Sequence, residues 1–78
     1  MAISMYLRTG KHRIRKVENL GGLLTLDDGS KWEVTAFGKY NAMMWKSFDE
    51  VMVESYIGSK FKIIHIKKQE AIEATHLG

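Results

Sequence analysis

The sequence predicts an all-β fold, a small five- or six-stranded barrel of the SH3-like or OB-like kind with one short irregular or helical connection. Three observations carry this expectation. Residues 23–36 form two alternating, apolar-rich runs around Asp27, Asp28, Gly29 and Ser30, the signature of a tight hairpin. Turn-forming residues recur about every 8–12 residues, the spacing of a small sandwich or barrel. The chain has only 78 residues, of which 45% are hydrophobic, enough for one thin core and a single domain over 1–78. Closure suits so short a chain, because open sheet edges invite aggregation.

Taken in order, residues 3–8 read as a short strand or an ordered tail, ended by Thr9 and Gly10. Residues 11–18 read as a strand. Side chains alternate across a strand, so Lys11, Arg13 and Arg15 share one face and His12 and Ile14 the other. Val17 then falls out of phase, and a bulge near Arg15 or Lys16 would return it to the core. Asn19, Leu20, Gly21 and Gly22 form a turn, with both glycines expected to supply positive φ. In the hairpin, Leu24 and Leu26 face one way and Leu23 and Thr25 the other. Beyond its turn, Trp32, Val34 and Ala36 face inward.

Residues 37–48 lack a clear period. They read as an irregular connection with one helical turn, which Asn41 would cap over residues 42–46. Alternation resumes with Val51, Val53 and Ser55 facing inward. Gly58 and Ser59 turn the chain into a strand over residues 60–67. There Phe61 and Ile63 oppose Ile64 and Ile66, so either a bulge shifts the phase or both faces are covered. Residues 71–77 close the fold, with Ile72 and Ala74 inward.

The sequence has no proline, so its turns rest on Gly, Asp and Asn. It has no cysteine, which excludes disulfides and thiolate metal sites. No basic stretch leads into an apolar run at the start, and no apolar run approaches the ~20 residues of a membrane span. No membrane partner is expected, and the expected compartment is the cytoplasm.

Asp28, Gly29, Ser30, Trp32 and Val34, then Trp45, then Asp49, Val51 and Val53, then a strand from Lys60 to Ile66, resemble a group of small bacterial β-barrel proteins. The resemblance runs over residues 12–77. It implies a barrel, and it implies no catalytic residue, since that group has no established biochemical function. In that group a Gly-Asp pair opens the strand after the second tryptophan. Here Phe48 and Asp49 stand in its place, which predicts a differently built turn.

Residues able to carry chemistry are few. His12, His65 and His76 lie in three different expected strands and match no local ligand spacing, so no metal and no cofactor is expected. His65 reads as half-buried and His76 as exposed. Asp27, Asp28 and Ser30 read as turn residues, favoured there by their own backbone hydrogen bonds. Gly21 and Gly22 lead into no helix carrying Lys and Ser or Thr, so they form no phosphate loop. The expectation is a non-enzymatic binding or protein-interaction module, its partner a second protein or a second copy. Met43, Met44 and Trp45 would serve as interface anchors, if exposed.

The alternative is nucleic-acid binding. The first sixteen residues hold Arg8, Lys11, Arg13, Arg15 and Lys16 and no acid, although the net charge is only +3. Three bases projecting about 6.6 Å apart from one strand face would suit phosphates. Tyr6, Phe37, Tyr40, Trp45 and Phe48 would supply stacking, with Lys39 and Lys46 among them. A basic strand also discourages strand-to-strand aggregation, and that purpose needs no ligand.

Overall fold

The computed structural model describes residues 9–58 and 60–77. The expected strand at 3–8, with Tyr6 and Arg8, lies outside them. Six strands form: β1 (Gly10–Glu18), β2 (Leu23–Leu26), β3 (Lys31–Val34), β4 (Glu50–Ser55), β5 (Lys60–His65) and β6 (Glu70–His76). A short 3-10 turn (Asn19–Gly21) joins β1 to β2, and one helical turn, α1 (Lys39–Ala42), lies between β3 and β4.

The strands close in the order β1-β2-β3-β6-β5-β4, every pair antiparallel. Two three-stranded meanders are therefore joined through β3–β6 and β1–β4. β1 serves both its own meander and the β1–β4 seam. Its first half pairs β4 from Gly10↔Val53 to Arg13↔Glu50, and its second half pairs β2 from Ile14↔Leu26 to Glu18↔Leu23. The register shifts between Ile14 and Lys16, the bulge that Val17 required, and Val17 packs against the core.

The core holds Ile14, Leu24, Leu26, Trp32, Val34, Val51, Val53, Ile63, Ile72 and Ala74, with Phe61, Ala42 and Trp45 completing it. Trp32 is fully buried at its centre, edge-on to Phe61 at 5.0 Å and to His76 at 4.8 Å between ring centroids. Its Nε1 donates to the Ser30 hydroxyl at 2.8 Å, and that hydroxyl donates to Asp28 Oδ1 at 2.6 Å. The hairpin loop thus satisfies the one polar atom of the core tryptophan. Leu26 N–H closes the loop onto the Ser30 carbonyl at 3.0 Å.

Several expectations are corrected. β3 ends at Val34, and Ala36 is exposed; Ser55, the last residue of β4, is exposed as well. Thr25 is buried on the outer face, where its cross-strand neighbours Lys16 and Lys31 can lay their stems beside it. In the turn, Gly22 has φ −82°, and it is Asn19 and Leu20 that join Gly21 in left-handed backbone. Asn41 lies inside α1, whose N-cap is Gly38, and makes no side-chain cap. β5 needs no bulge: Phe61, Ile63 and His65 alternate inward, so a histidine fills the third core position. His65 is buried rather than half-buried, and His76 is half-buried rather than exposed. No helix among the described residues is long and apolar enough to cross a membrane.

Candidate nucleic-acid interface

On β1 the alternation places Lys11 and Arg13 outward, with His12 and Ile14 inward. At the bulge Arg15 and Lys16 are both exposed, so four of the five predicted basic residues face solvent; Arg8 lies outside the described residues. Two of the four are partly held. Arg13 reaches Glu50 on β4 at 3.4 Å, with both side chains largely exposed. Arg15 donates to the Asp27 carbonyl at 2.8 Å, across the hairpin turn.

A turn over residues 46–49 runs alongside this strand. Ile14 N–H donates to the Asp49 carbonyl at 2.9 Å, Phe48 N–H to the Ile14 carbonyl at 2.7 Å, and the Ser47 hydroxyl to the Arg15 carbonyl at 3.0 Å. The turn is closed by Asp49 N–H on the Lys46 carbonyl at 3.2 Å and by Lys46 N–H on Asp49 Oδ2 at 2.9 Å. Its third residue, Phe48, has φ 75°. That position favours Gly or Asn, and a bulky side chain is strained there. Phe48 is nevertheless 78% exposed, so burial does not repay the strain.

Asp49 is the joint of the site. It accepts from His65 Nε2 at 2.8 Å, while His65 Nδ1 accepts from Lys68 N–H at 3.1 Å. Both imidazole nitrogens are thereby occupied, and β4, β5 and the β5–β6 turn are tied together. The His65 hydrogen bond, stronger than the opposing effect of burial, holds the Asp49 carboxyl below its usual range, helped by Lys46 N–H. A cleft of about 350 Å³ opens beside this joint, lined by Arg13, Phe48, Asp49, Glu50, His65, Ile66 and Lys67. It brings a guanidinium, an exposed ring and an ammonium to one place.

Of the other aromatic residues predicted to stack, Trp45 is buried, donating from Nε1 to Glu70 Oε1 at 2.8 Å and packing on His65 at 5.1 Å. It is therefore no surface anchor, for a base or for a protein. Phe37 is exposed but lines a separate cleft with Ile72 and Glu73, and Tyr40 is exposed on α1. Met43 and Met44 are exposed. Lys67 and the Asp49–His65 pair carry no sequence signal that would have placed them with Arg13.

Asp27 does more than form a turn. His12 Nδ1 donates to its Oδ1 at 2.8 Å and Arg13 N–H to its Oδ2 at 3.1 Å. Burial pushes its carboxyl up, yet these hydrogen bonds prevail and hold it below the usual range. Asp28 behaves likewise, with burial outweighed by the Ser30 hydroxyl and N–H. His12, Asp27 and Asp28 place one ligand atom each within 4.8 Å of one another, and the hydrogen bonds just described account for that geometry. No family model, curated protein or solved structure matches the chain.

Proposed function

We propose that this barrel is a non-enzymatic binding module that takes single-stranded nucleic acid along β1 and the turn over residues 46–49. The observation that carries the reading is Phe48, an exposed ring in strained backbone, in one cleft with Arg13 and Lys67. A base would stack on the ring, a contact worth about 1–3 kcal/mol and tolerant of sequence. Phosphates on either side would meet Arg13, Lys67 and the bases at the bulge, Arg15 and Lys16. Small barrels of the SH3-like or OB-like kind present a sheet face to oligonucleotides in this manner.

Charge supports the reading beyond the net value. Among the described residues, Asp27, Asp28, Asp49 and Glu70 are engaged by His12, Ser30, His65 and Trp45, whereas Arg13 alone of the Lys and Arg side chains forms a salt bridge. These four carboxylates are held by histidine, serine and tryptophan rather than by lysine or arginine, and most of the described Lys and Arg side chains are left to solvent.

The test is fluorescence anisotropy with a labelled oligothymidylate about 12 nucleotides long, across a salt series. Binding should weaken with salt. Phe48→Ala should weaken it by about tenfold, and Arg13→Ala should lower the salt slope by about 0.7. No binding at low salt, or binding indifferent to both substitutions, would sink the proposal.

A further inference from the structure

The partners of the buried His65 ring allow it one tautomer. Its Nδ1 accepts from Lys68 N–H at 3.1 Å, so the hydrogen of the neutral ring sits on Nε2, which donates to Asp49 Oδ2 at 2.8 Å. A second proton has only Nδ1 to go to, where it would meet the Lys68 N–H head on. Two donors cannot share that contact, so either the ring or the turn over residues 66–69 must give way.

The ring is the better held of the two. Its strand pairs on both sides, Val51↔His65 with β4 and His65↔Glu70 with β6, and the Trp45 ring lies against it at 5.1 Å. A cationic ring also gains from Asp49, whose carboxyl the His65 hydrogen bond and Lys46 N–H hold below its usual range. The turn is fixed at its first residue, where Ile66 N–H donates to the Glu50 carbonyl at 3.1 Å. Beyond that residue it is exposed. Its main-chain closure rests on His65, through Lys68 N–H on the ring and Gln69 N–H on the carbonyl at 2.8 Å. The Lys68 ammonium adds a contact to the Met44 carbonyl at 3.5 Å. Gln69 stands at φ 56°, a left-handed backbone that disfavours a side chain, so opening relieves strain. We infer that His65 is a proton-operated latch: its neutral ring closes residues 67–69, and a second proton on Nδ1 releases them while the barrel stays closed. The other titratable and charged groups around the ring are Glu70 on β6, which Trp45 holds, Glu50 on β4, which Arg13 meets, Lys67 and Lys68 in the turn, and His12 on β1 beyond Val51. Lys67 lines the cleft with Arg13 and Phe48, so release withdraws a base from it; that consequence rests on the nucleic-acid reading, and the latch itself does not.

The experiment is nuclear magnetic resonance on the ¹⁵N-labelled chain without oligonucleotide. Long-range imidazole spectra at about pH 8 should show His65 protonated on Nε2 alone. From about pH 8 to about pH 5, the interval in which histidine changes charge, the ring should take up its second proton. In step with it, the exchange protection factor of the Lys68 amide should fall by at least about tenfold, while that of Leu26, bonded to the Ser30 carbonyl, holds. In His65→Gln the Lys68 amide should show no such pH response; should that variant fail to fold, the tautomer and titration of the parent chain still decide. A proton on Nδ1 at about pH 8, a ring that stays neutral throughout, or Lys68 protection that survives ring protonation would overturn the latch. So would loss of Leu26 protection together with Lys68, which is global unfolding, or a pH response retained in His65→Gln. Because no oligonucleotide is present, failure of the latch is distinct from failure of the cleft to bind one.

Discussion

The Trp45 indole nitrogen donates to the Glu70 carboxylate at 2.8 Å, so the first residue of β6 anchors the second tryptophan of the chain inside the barrel. The connection between α1 and β4 is irregular in backbone, and beside its hydrogen bonds to β1 this inward side chain, tilted against the His65 ring, fixes it in place. Trp45→Ala should therefore cost about 3–5 kcal/mol, and Trp45→Phe about 1.5–3 kcal/mol for the lost charge-assisted bond. Chemical denaturation checks both. A Trp45→Ala barrel as stable as the parent would show that the connection is held by something else.

Trp32 gives the corresponding prediction for the hairpin. Ser30→Ala removes the acceptor of the Trp32 Nε1 and leaves that donor buried, at a cost of about 1–3 kcal/mol. Trp32→Ala should cost about 3–5 kcal/mol, because its ring is fully buried between Phe61 and His76. For a domain this small that approaches the whole stability, and the variant should be unfolded in far-ultraviolet circular dichroism at 37 °C.

What the sequence disclosed follows from where a two-residue period is obeyed. Residues 31–34 alternate cleanly, and the phase slip at Val17 disclosed the bulge. The slip at Ile64 did not mean a bulge, because the inward position was held by His65, a polar residue satisfied by Asp49 and Lys68. Residues 37–48 were opaque for another reason. Trp45 and Phe48 look alike as apolar residues, and only the turn, bonded to Ile14 through its backbone and to Arg15 through the Ser47 hydroxyl, turns one in and the other out. Arg13 was legible as a surface base from alternation. Its cleft partner Lys67 was not, since the β4–β5 pairing brings that turn over.

Gly21 separates close packing from simple turn chemistry. Gly21→Ala meets backbone atoms of α1 at once, and should cost about 2 kcal/mol or more. Gly29 also has positive φ, 85°, but a Cβ there meets nothing within 4 Å. Gly29→Ala should therefore cost only the left-handed penalty, about 1 kcal/mol. Equal losses in thermal unfolding would contradict the flush contact between turn and helix.

Acid should weaken the fold through the carboxylates that its histidines hold. The Asp27 and Asp49 carboxyls ionise below the ordinary value of 3.8 in the folded chain. A depressed carboxyl stabilises the fold above its unfolded value, and that contribution is lost as pH falls through the folded value. Urea midpoints should thus hold steady down to about pH 5 and fall below about pH 4. Asp49→Asn should lower the midpoint at neutral pH and make the acid decline shallower, since one linked proton is removed. A decline of unchanged steepness would exclude Asp49 from the acid response.

Phe48 poses strain against use. At φ 75° glycine is unstrained, and the ring of Phe48 is mostly outside the core. Phe48→Gly should accordingly leave stability unchanged or raise it by about 1 kcal/mol, the left-handed penalty offsetting the loss of chain stiffness. The same substitution should abolish the stacking contribution to oligonucleotide binding. A residue kept only for packing would behave the opposite way, with stability falling and the folded fraction binding as before. Denaturation and anisotropy on the one variant decide between them: a Phe48→Gly barrel that is destabilised yet binds as before would make Phe48 a structural residue.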